Sequence, residues 1–383
     1  MNLCFKGLLK FSSPFCIVKS RRIVKMKTII KIILILLSGI LVIVLLWFLF
    51  VRPRMLNRGF DRTYFTSVVT KVTSVVPSSK KSEITGMSQN RIYLSTEDPH
   101  EILITDSLLS NVGSISVQLD KEFVDRSSHF FITRVDSPDF RIFSGNRPSV
   151  AFGKLSGTSV KVDTFNPGSI TRVISLANNS YVLRKLDFSK KDQVFFKYYP
   201  DSGYLKPESN ISDIRHDAGM VTDGFLDFDR KTSLIAYVYC YKNVYQLIDT
   251  NLNLIRVGNT IDTFTQYQMQ VEKAVSGKKT TISQKGPAFI VNRISTFYDS
   301  LLYISSNAIS NDESYETLDK HEIIDVYNLV KGKYVGSFLL PLNNHKRSTR
   351  IHVYRSMLYC NYENEWIIYK LDKDKMCREA ATM

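Results

Sequence analysis

The sequence predicts an all-β protein, a six-bladed β-propeller, preceded by a single N-terminal transmembrane helix. Three observations support this prediction: short alternating strands from about residue 84, the recurrence of one strand unit, and an uncharged apolar run at Ile32–Val51. The 383 residues are 44% hydrophobic and 23% charged, which is typical of a globular chain. Five cysteines are too few for a fold built on disulfides.

The apolar run at Ile32–Val51 has the length of a membrane span. A helix of this length covers roughly 30 Å, the thickness of the bilayer hydrocarbon. Trp47 lies near its end, where aromatic rings favour the membrane interface. The run is too long for a cleaved signal peptide, and Arg52-Pro53-Arg54 follows it instead of a small-residue cleavage site. We therefore expect a retained transmembrane helix at 29–51.

The positive charge of the chain is concentrated near this span. Residues 1–62 carry twelve Lys or Arg and one Asp, a net charge of +11, whereas the remainder carries a net +4. The main domain therefore gives no indication of a nucleic-acid partner. Eight basic residues precede the run and four follow it, which favours a cytoplasmic tail at 1–28 and a periplasmic or other extracytoplasmic C-terminal domain on a single-pass inner-membrane protein. A start at Met26 would remove this bias, and both starts stay open.

Residues 52–83 are predicted to form a stalk. They are rich in Ser, Thr and Val and end in a breaker cluster at Pro77-Ser78-Ser79. The same Val and Thr content is compatible with a β-strand, so this alternative is left open.

From residue 84 to 376 an apolar strand, a turn and a second strand recur six times, each time after another apolar strand. The units begin at Ile102, Val150, Val194, Val244, Ile323 and Trp366. Their spacings are 48, 44, 50, 79 and 43 residues, and four of these match the roughly 40–50 residues of a propeller blade. The long spacing contains an apparent insertion at 262–287, with weak helical periodicity over Gln266–Ser276. A β-sandwich would explain the alternation of the strands but not their sixfold recurrence.

Two segments resemble blades of the bacterial six-bladed β-propeller proteins common in Bacteroidota. One is the hairpin at 323–338, and the other is the strand pair at 356–362 and 366–371. The resemblance covers roughly residues 84–373 and implies the propeller fold, but it includes no catalytic signature. Many such relatives are lipid-anchored, and this chain departs from them by its apolar helix. Residues 377–383 are expected to form a C-terminal tail.

The densest polar cluster gives weak ligand-binding candidates: Arg215, His216, Asp217 and Asp223. Acidic side chains at the axial mouth of a propeller could hold a ligand or a cation, although their spacing is not that of a calcium loop. The same residues are also ordinary turn formers. The six histidines are scattered, and there is no Gly-rich phosphate loop, nucleophile elbow or Cys-x-x-Cys pair. We therefore predict no catalytic residues, no metal site and no cofactor.

The functional prediction is a membrane-tethered, non-catalytic binding or scaffold module. Its ligand would be a protein or a component of the cell envelope, bound on the axial face or on the inserted loops at 262–287 and 306–322. The alternatives are a lactonase-like hydrolase with an axial metal and a ligand-sensing membrane protein. A disulfide between Cys360 and Cys377 is left open.

Overall fold

The computed structural model describes residues 14–46, 58–76, 82–88, 90–127, 130–157, 159–165, 168–177, 179–277, 279–363 and 365–382. The chain divides into two compact units, 1–58 and 59–383. The first contains helix α1 (Pro14–Leu46). Residues 47–51 of the expected span, and 1–13 of the expected tail, lie outside the described residues. Within the described ranges, no helix combines the length and the apolar character that crossing a membrane requires.

The second unit is a six-bladed β-propeller. Each blade is an antiparallel four-stranded sheet. From the innermost strand outward, the blades are: blade 1, β2 (Glu83–Met87), β3 (Ile92–Ser95), β4 (Glu101–Thr105) and β5 (Gly113–Ser116); blade 2, β6 (Phe131–Asp136), β7 (Asp139–Ser144), β8 (Ser149–Lys154) and β9 (Lys161–Thr164); blade 3, β10 (Ile170–Ser175), β11 (Tyr181–Asp187), β12 (Asp192–Tyr199) and β13 (Tyr204–Pro207); blade 4, β14 (Gly224–Asp229), β15 (Leu234–Tyr239), β16 (Val244–Asp249) and β17 (Leu254–Asn259); blade 5, β20 (Asn292–Tyr298), β21 (Leu301–Ser306), β22 (His321–Asn328) and β23 (Lys333–Pro341); blade 6, β24 (Arg350–Tyr354), β25 (Met357–Tyr362), β26 (Glu365–Leu371) and β1 (Val69–Val75).

The remaining elements lie outside these sheets. They are the hairpin of β18 (Val271–Ser276) and β19 (Lys279–Gln284) and the helices α2 (Lys121–Arg126), α3 (Tyr315–Lys320) and α4 (Lys373–Thr382). The segment at 266–276, where the sequence suggests weak helical periodicity, therefore ends in strand β18 and not in a helix. Its partner β19 supplies the backbone hydrogen bonds of a short exposed hairpin.

The hydrophobic core lies between the blades. The described residues form six buried clusters, and each cluster joins two neighbouring blades. Between blades 3 and 4, for example, Phe195 packs edge-on against Tyr237 with ring centroids 5.0 Å apart. Because both faces of each blade are covered, the middle strands are apolar along most of their length. The six residues that mark the repeats all lie on the third strand of a blade, so the predicted blade count is confirmed.

Blade 6 closes the ring with a strand from the N-terminal side of the propeller. Strand β1 pairs antiparallel with β26, from Val69 opposite Leu371 to Val75 opposite Trp366. The expected stalk is thus corrected over residues 69–75, where the alternative of a strand holds. The sixth repeat also differs from the prediction, since α4 follows β26 where a second strand was expected. Trp366 is fully buried and donates a hydrogen bond from Nε1 to Ser82 Oγ at 2.9 Å, which fastens blade 6 to the start of blade 1.

A buried arginine fixes the segment that leads into β1. The Arg62 side chain has no exposed surface and pairs with Glu313 and Asp325, each at 2.7 Å. It also donates to Ala308 O and Ser306 Oγ, each at 3.0 Å. Four groups from one loop and two strands of blade 5 therefore hold this single side chain. Residues that look like part of a linker in the sequence are bound tightly to the propeller.

The three cysteines in the described residues are free thiols. Cys240 and Cys360 are buried on middle strands, and Cys377 is exposed on α4. Burial raises the pKa of the Cys240 thiol to about 12. Cys360 and Cys377 are therefore not joined in this structure.

Candidate functional site

The six innermost strands surround an axial cavity of about 520 Å³. All six contribute side chains to its wall, mainly from their C-terminal halves. The cavity therefore opens on the face of the propeller where the innermost strands end. A Cβ atom at Gly86 would collide with the carbonyl oxygen of Val135, so glycine here lets β2 and β6 approach closely beside the cavity. The volume is that of a site for a small molecule.

Apolar and aromatic side chains form much of the cavity wall. They include Met87, Leu226, Phe228, Tyr298 and Tyr354. The rings of Tyr298 and Tyr354 meet edge to face, 5.9 Å apart. Such a surface packs well against a flat or ring-shaped ligand. Three polar side chains, one each from blades 2, 4 and 6, point to what else the ligand would carry.

Arg134 of β6 is the first of these polar side chains. Its Nε donates to Val173 O, and its Nη1 donates to Thr133 O, both at 2.8 Å. Within the described residues, Nη2 has no hydrogen bond, and no carboxylate lies within ion-pair distance of this guanidinium. Arginine stays protonated in proteins. The wall of the cavity therefore contains a positive charge with one free donor.

Asp227 of β14 is the second. Ser295 Oγ donates to its Oδ2 at 2.8 Å. Burial raises the pKa of the Asp227 carboxyl to about 7, and the Ser295 hydrogen bond and the charges of Arg134 and Arg350 act in the opposite direction. A carboxyl group with this pKa changes charge near neutral pH, where an ordinary aspartate is already ionised.

His352 of β24 is the third. Burial lowers its pKa to about 3, with smaller contributions of the same sign from the Arg350 and Arg134 charges. The ring is consequently neutral at physiological pH, with one nitrogen as donor and the other as acceptor. It lies beside the Trp366 ring, with centroids 6.3 Å apart, and has no hydrogen bond to the part of the protein that the structure describes. All three side chains thus keep polar capacity for a ligand.

The remaining charges along the innermost strands are paired. Arg172 donates to Asp223 Oδ2 at 2.9 Å, and Arg184 donates to Asp223 Oδ1 at 3.3 Å. Arg350 pairs with Glu83 at 3.2 Å. Asp223 is therefore the member of the sequence-predicted cluster that reaches the innermost strands, where it acts as the counter-ion of two arginines.

The other three predicted site residues build the loop between β13 and β14. Arg215 pairs with Asp213 at 2.9 Å and is exposed. His216 Nδ1 contacts Lys190 O at 2.7 Å. The buried Asp217 accepts from the backbone nitrogens of Gly219 and Val221, and burial raises the pKa of its carboxyl. None of the three lines the axial cavity.

Arg134, Asp227 and His352 are absent from the residues that the sequence singles out. Each is an isolated polar residue inside an otherwise apolar strand, at Phe131–Asp136, Gly224–Asp229 and Arg350–Tyr354. The available signal was a polar side chain where strand alternation places a buried face. Sequence alone could not reveal that these three strands meet at one axis.

The cavity wall includes two carboxylates, Asp227 and Asp229. Asp229 accepts from Thr232 Oγ1 at 2.8 Å and from the backbone nitrogens of Lys231 and Ser300. Within the described residues, no three His, Cys, Asp or Glu side chains are grouped so as to hold a metal ion. The axial-metal alternative requires several converging carboxylates.

No family model matches the sequence, and no curated protein matches it. Among solved structures, virginiamycin B lyase from Staphylococcus aureus is 7% identical with a TM-score of 0.47, over 79% of this chain and 99% of that one. A member of the DUF4221 family from Bacteroides vulgatus is 12% identical with a TM-score of 0.47, over 82% of this chain and 99% of that one. We draw no conclusion about activity, ligand or location from these likenesses.

Proposed function

We propose that this chain is a non-catalytic binding protein whose ligand occupies the axial cavity. The observation that supports this most strongly is the convergence of Arg134, Asp227 and His352, each with polar atoms available to a ligand, in a largely apolar pocket. A few placed polar groups in an apolar, preformed cavity are typical of small-molecule sites. The ligand would be a small molecule, or a side chain or terminus of a protein or envelope partner.

A variant that fills the cavity tests this proposal. Ser175 lines the cavity, and Ser175→Trp should obstruct it, whereas Ser276→Trp places the same ring on the exposed strand β18 as a control. The full-length chain is screened by thermal unfolding against a panel of organic acids, amides, sugars and amino acids. We expect at least one compound to stabilise the wild type and Ser276→Trp but not Ser175→Trp. Equal stabilisation of all three proteins would contradict binding in the cavity.

We also propose that the apolar segment at 32–51 tethers the propeller to a membrane, with the propeller on the extracytoplasmic side. The large apolar side chains between Ile30 and Leu46 are 48–69% exposed along α1. A continuous apolar surface of this kind is unfavourable in water. The uncharged sequence continues to Val51, and this supports an anchor of sufficient length.

Membrane extraction tests the tether. The wild type should stay in the membrane pellet after an alkaline carbonate wash, whereas Ile35→Lys/Leu41→Lys should move to the supernatant, because two charges would enter the hydrocarbon. The matched control, Val162→Lys/Val275→Lys, adds the same charges to exposed positions of the propeller unit and should stay in the pellet. For orientation, the exposed Cys377 should react with an impermeant maleimide in right-side-out vesicles. Wild-type protein in the supernatant would contradict the tether.

A further inference from the structure

Blades 2 and 3 each place an arginine on the innermost strand in the same arrangement. In Arg134, Nε donates to the next blade at Val173 O, and Nη1 donates back to Thr133 O. In Arg172, Nε likewise donates to the next blade at Gly224 O, and Nη1 donates back to Thr171 O, both at 2.9 Å. Backbone carbonyls thus orient both guanidinium groups in the same way.

The two arginines differ at the third donor. Nη2 of Arg172 binds the Asp223 carboxylate at 2.9 Å. Nη2 of Arg134 has no such partner among the described residues, and this side chain lines the axial cavity, which Arg172 does not. The protein itself therefore shows which group fits the third donor of this arrangement, and that group is a carboxylate. A guanidinium and a carboxylate form a strong charge-assisted hydrogen bond.

We infer that the axial cavity binds a small organic acid with an apolar ring, whose carboxylate pairs with Arg134. This inference rests on the proposed function and names the class of ligand. The ring would pack against Phe228, Tyr298 and Tyr354, and neutral His352 would donate to or accept from a polar substituent. The volume of about 520 Å³ is large enough for such a molecule.

Asp227 regulates the same site. When its carboxyl is protonated, the charge of Arg134 is free for the ligand, whereas the ionised form attracts Arg134 and repels the ligand carboxylate. Burial supports a protonated form up to about neutral pH. The groups that face Asp227 from the other innermost strands are the Ser295 hydroxyl, neutral His352, and the charges of Arg134, Arg350 with Glu83, and Arg172 with Asp223. Acid binding should therefore weaken as the pH rises through 7.

The test compares benzoate, phenylacetate and cinnamate with their amides. Their Kd values for the full-length chain in mild detergent are measured at about pH 6 and about pH 8.5, on either side of the Asp227 transition. At the lower pH we expect each acid to bind about tenfold or more tightly than its amide. Arg134→Met should abolish this preference without weakening the amides. Arg172→Met is the matched control, and it should keep the preference because its partner is Asp223.

Each outcome decides between the inference and the proposed function. Asp227→Asn should bind the acids equally well at both pH values. Amides that bind as tightly as acids, a preference that survives Arg134→Met, or no binding of any acid at about 10 mM, an affinity within reach of fragments of this size, would overturn the carboxylate inference. Cavity-dependent binding without acid preference would leave the proposed function intact. Binding that Ser175→Trp does not weaken would overturn the cavity site as well.

Discussion

Replacing Arg62 with methionine should destabilise the propeller by about 3–5 kcal/mol, the cost of leaving buried charges without a partner. The substitution removes the cation between Glu313 and Asp325, whose side chains are each 3% exposed. It also removes the donors to Ser306 and Ala308. Because Arg62 lies just before β1, the segment that closes blade 6 should detach more easily. Urea unfolding of the full-length chain, followed by tryptophan fluorescence, measures the change, since Trp366 lies opposite Val75 of β1.

Two further variants separate the charge from the packing. In Arg62→Met/Glu313→Gln/Asp325→Asn the stranded carboxylates are also neutralised, so much of the lost stability should return. Lys320→Met breaks the exposed pair of Lys320 with Glu316, whose side chains are 64% and 71% exposed, and should cost less than about 1 kcal/mol. A loss of under about 1 kcal/mol for Arg62→Met would contradict the role assigned to this side chain.

Asp227→Asn should stabilise the propeller by about 2–4 kcal/mol above pH 7, because it removes a carboxyl group that must ionise inside the fold. The folded-state pKa of about 7 lies above the ordinary value of 3.8. Between these two values the unfolded chain has already released this proton and the folded chain has not. Wild-type stability therefore falls as the pH rises from about 4 to about 7 and is constant above that. The variant lacks this decrease, so its advantage grows over the same interval.

Thermal or urea unfolding of both proteins across this pH range provides the measurement. Asp201→Asn, in an exposed turn between β12 and β13, is the control and should follow the wild type throughout. His352 acts on the acid side, since its lowered pKa makes wild-type and variant proteins alike lose stability as the pH falls from about 6.5 to about 3. A wild-type advantage over Asp227→Asn at pH 8 would contradict the prediction. Together with the ligand test, a positive result would mean that Asp227 costs stability and is useful in binding.

The blade count was accessible from the amino-acid pattern because of where the core lies. Neighbouring blades cover both faces of the two middle strands, so these strands are apolar runs that recur at blade spacing. Ile102, Val150 and Val194 each mark such a strand. Two neighbours in the chain form the hairpin, and this local pairing leaves a short-range signal.

Ring closure and the cavity depended on distant contacts. Strand β1 is mostly exposed, and its partner β26 lies about three hundred residues away, so neither its composition nor its position identifies the pairing. Arg62 resembles one more basic residue after an apolar run until the fold places it between Glu313 and Asp325. The cluster at 215–223 attracted attention because its polar residues are adjacent in sequence, whereas Arg134, Asp227 and His352 come from three blades. Only closure of the ring brings these innermost strands together, since each blade contributes one strand to the axis.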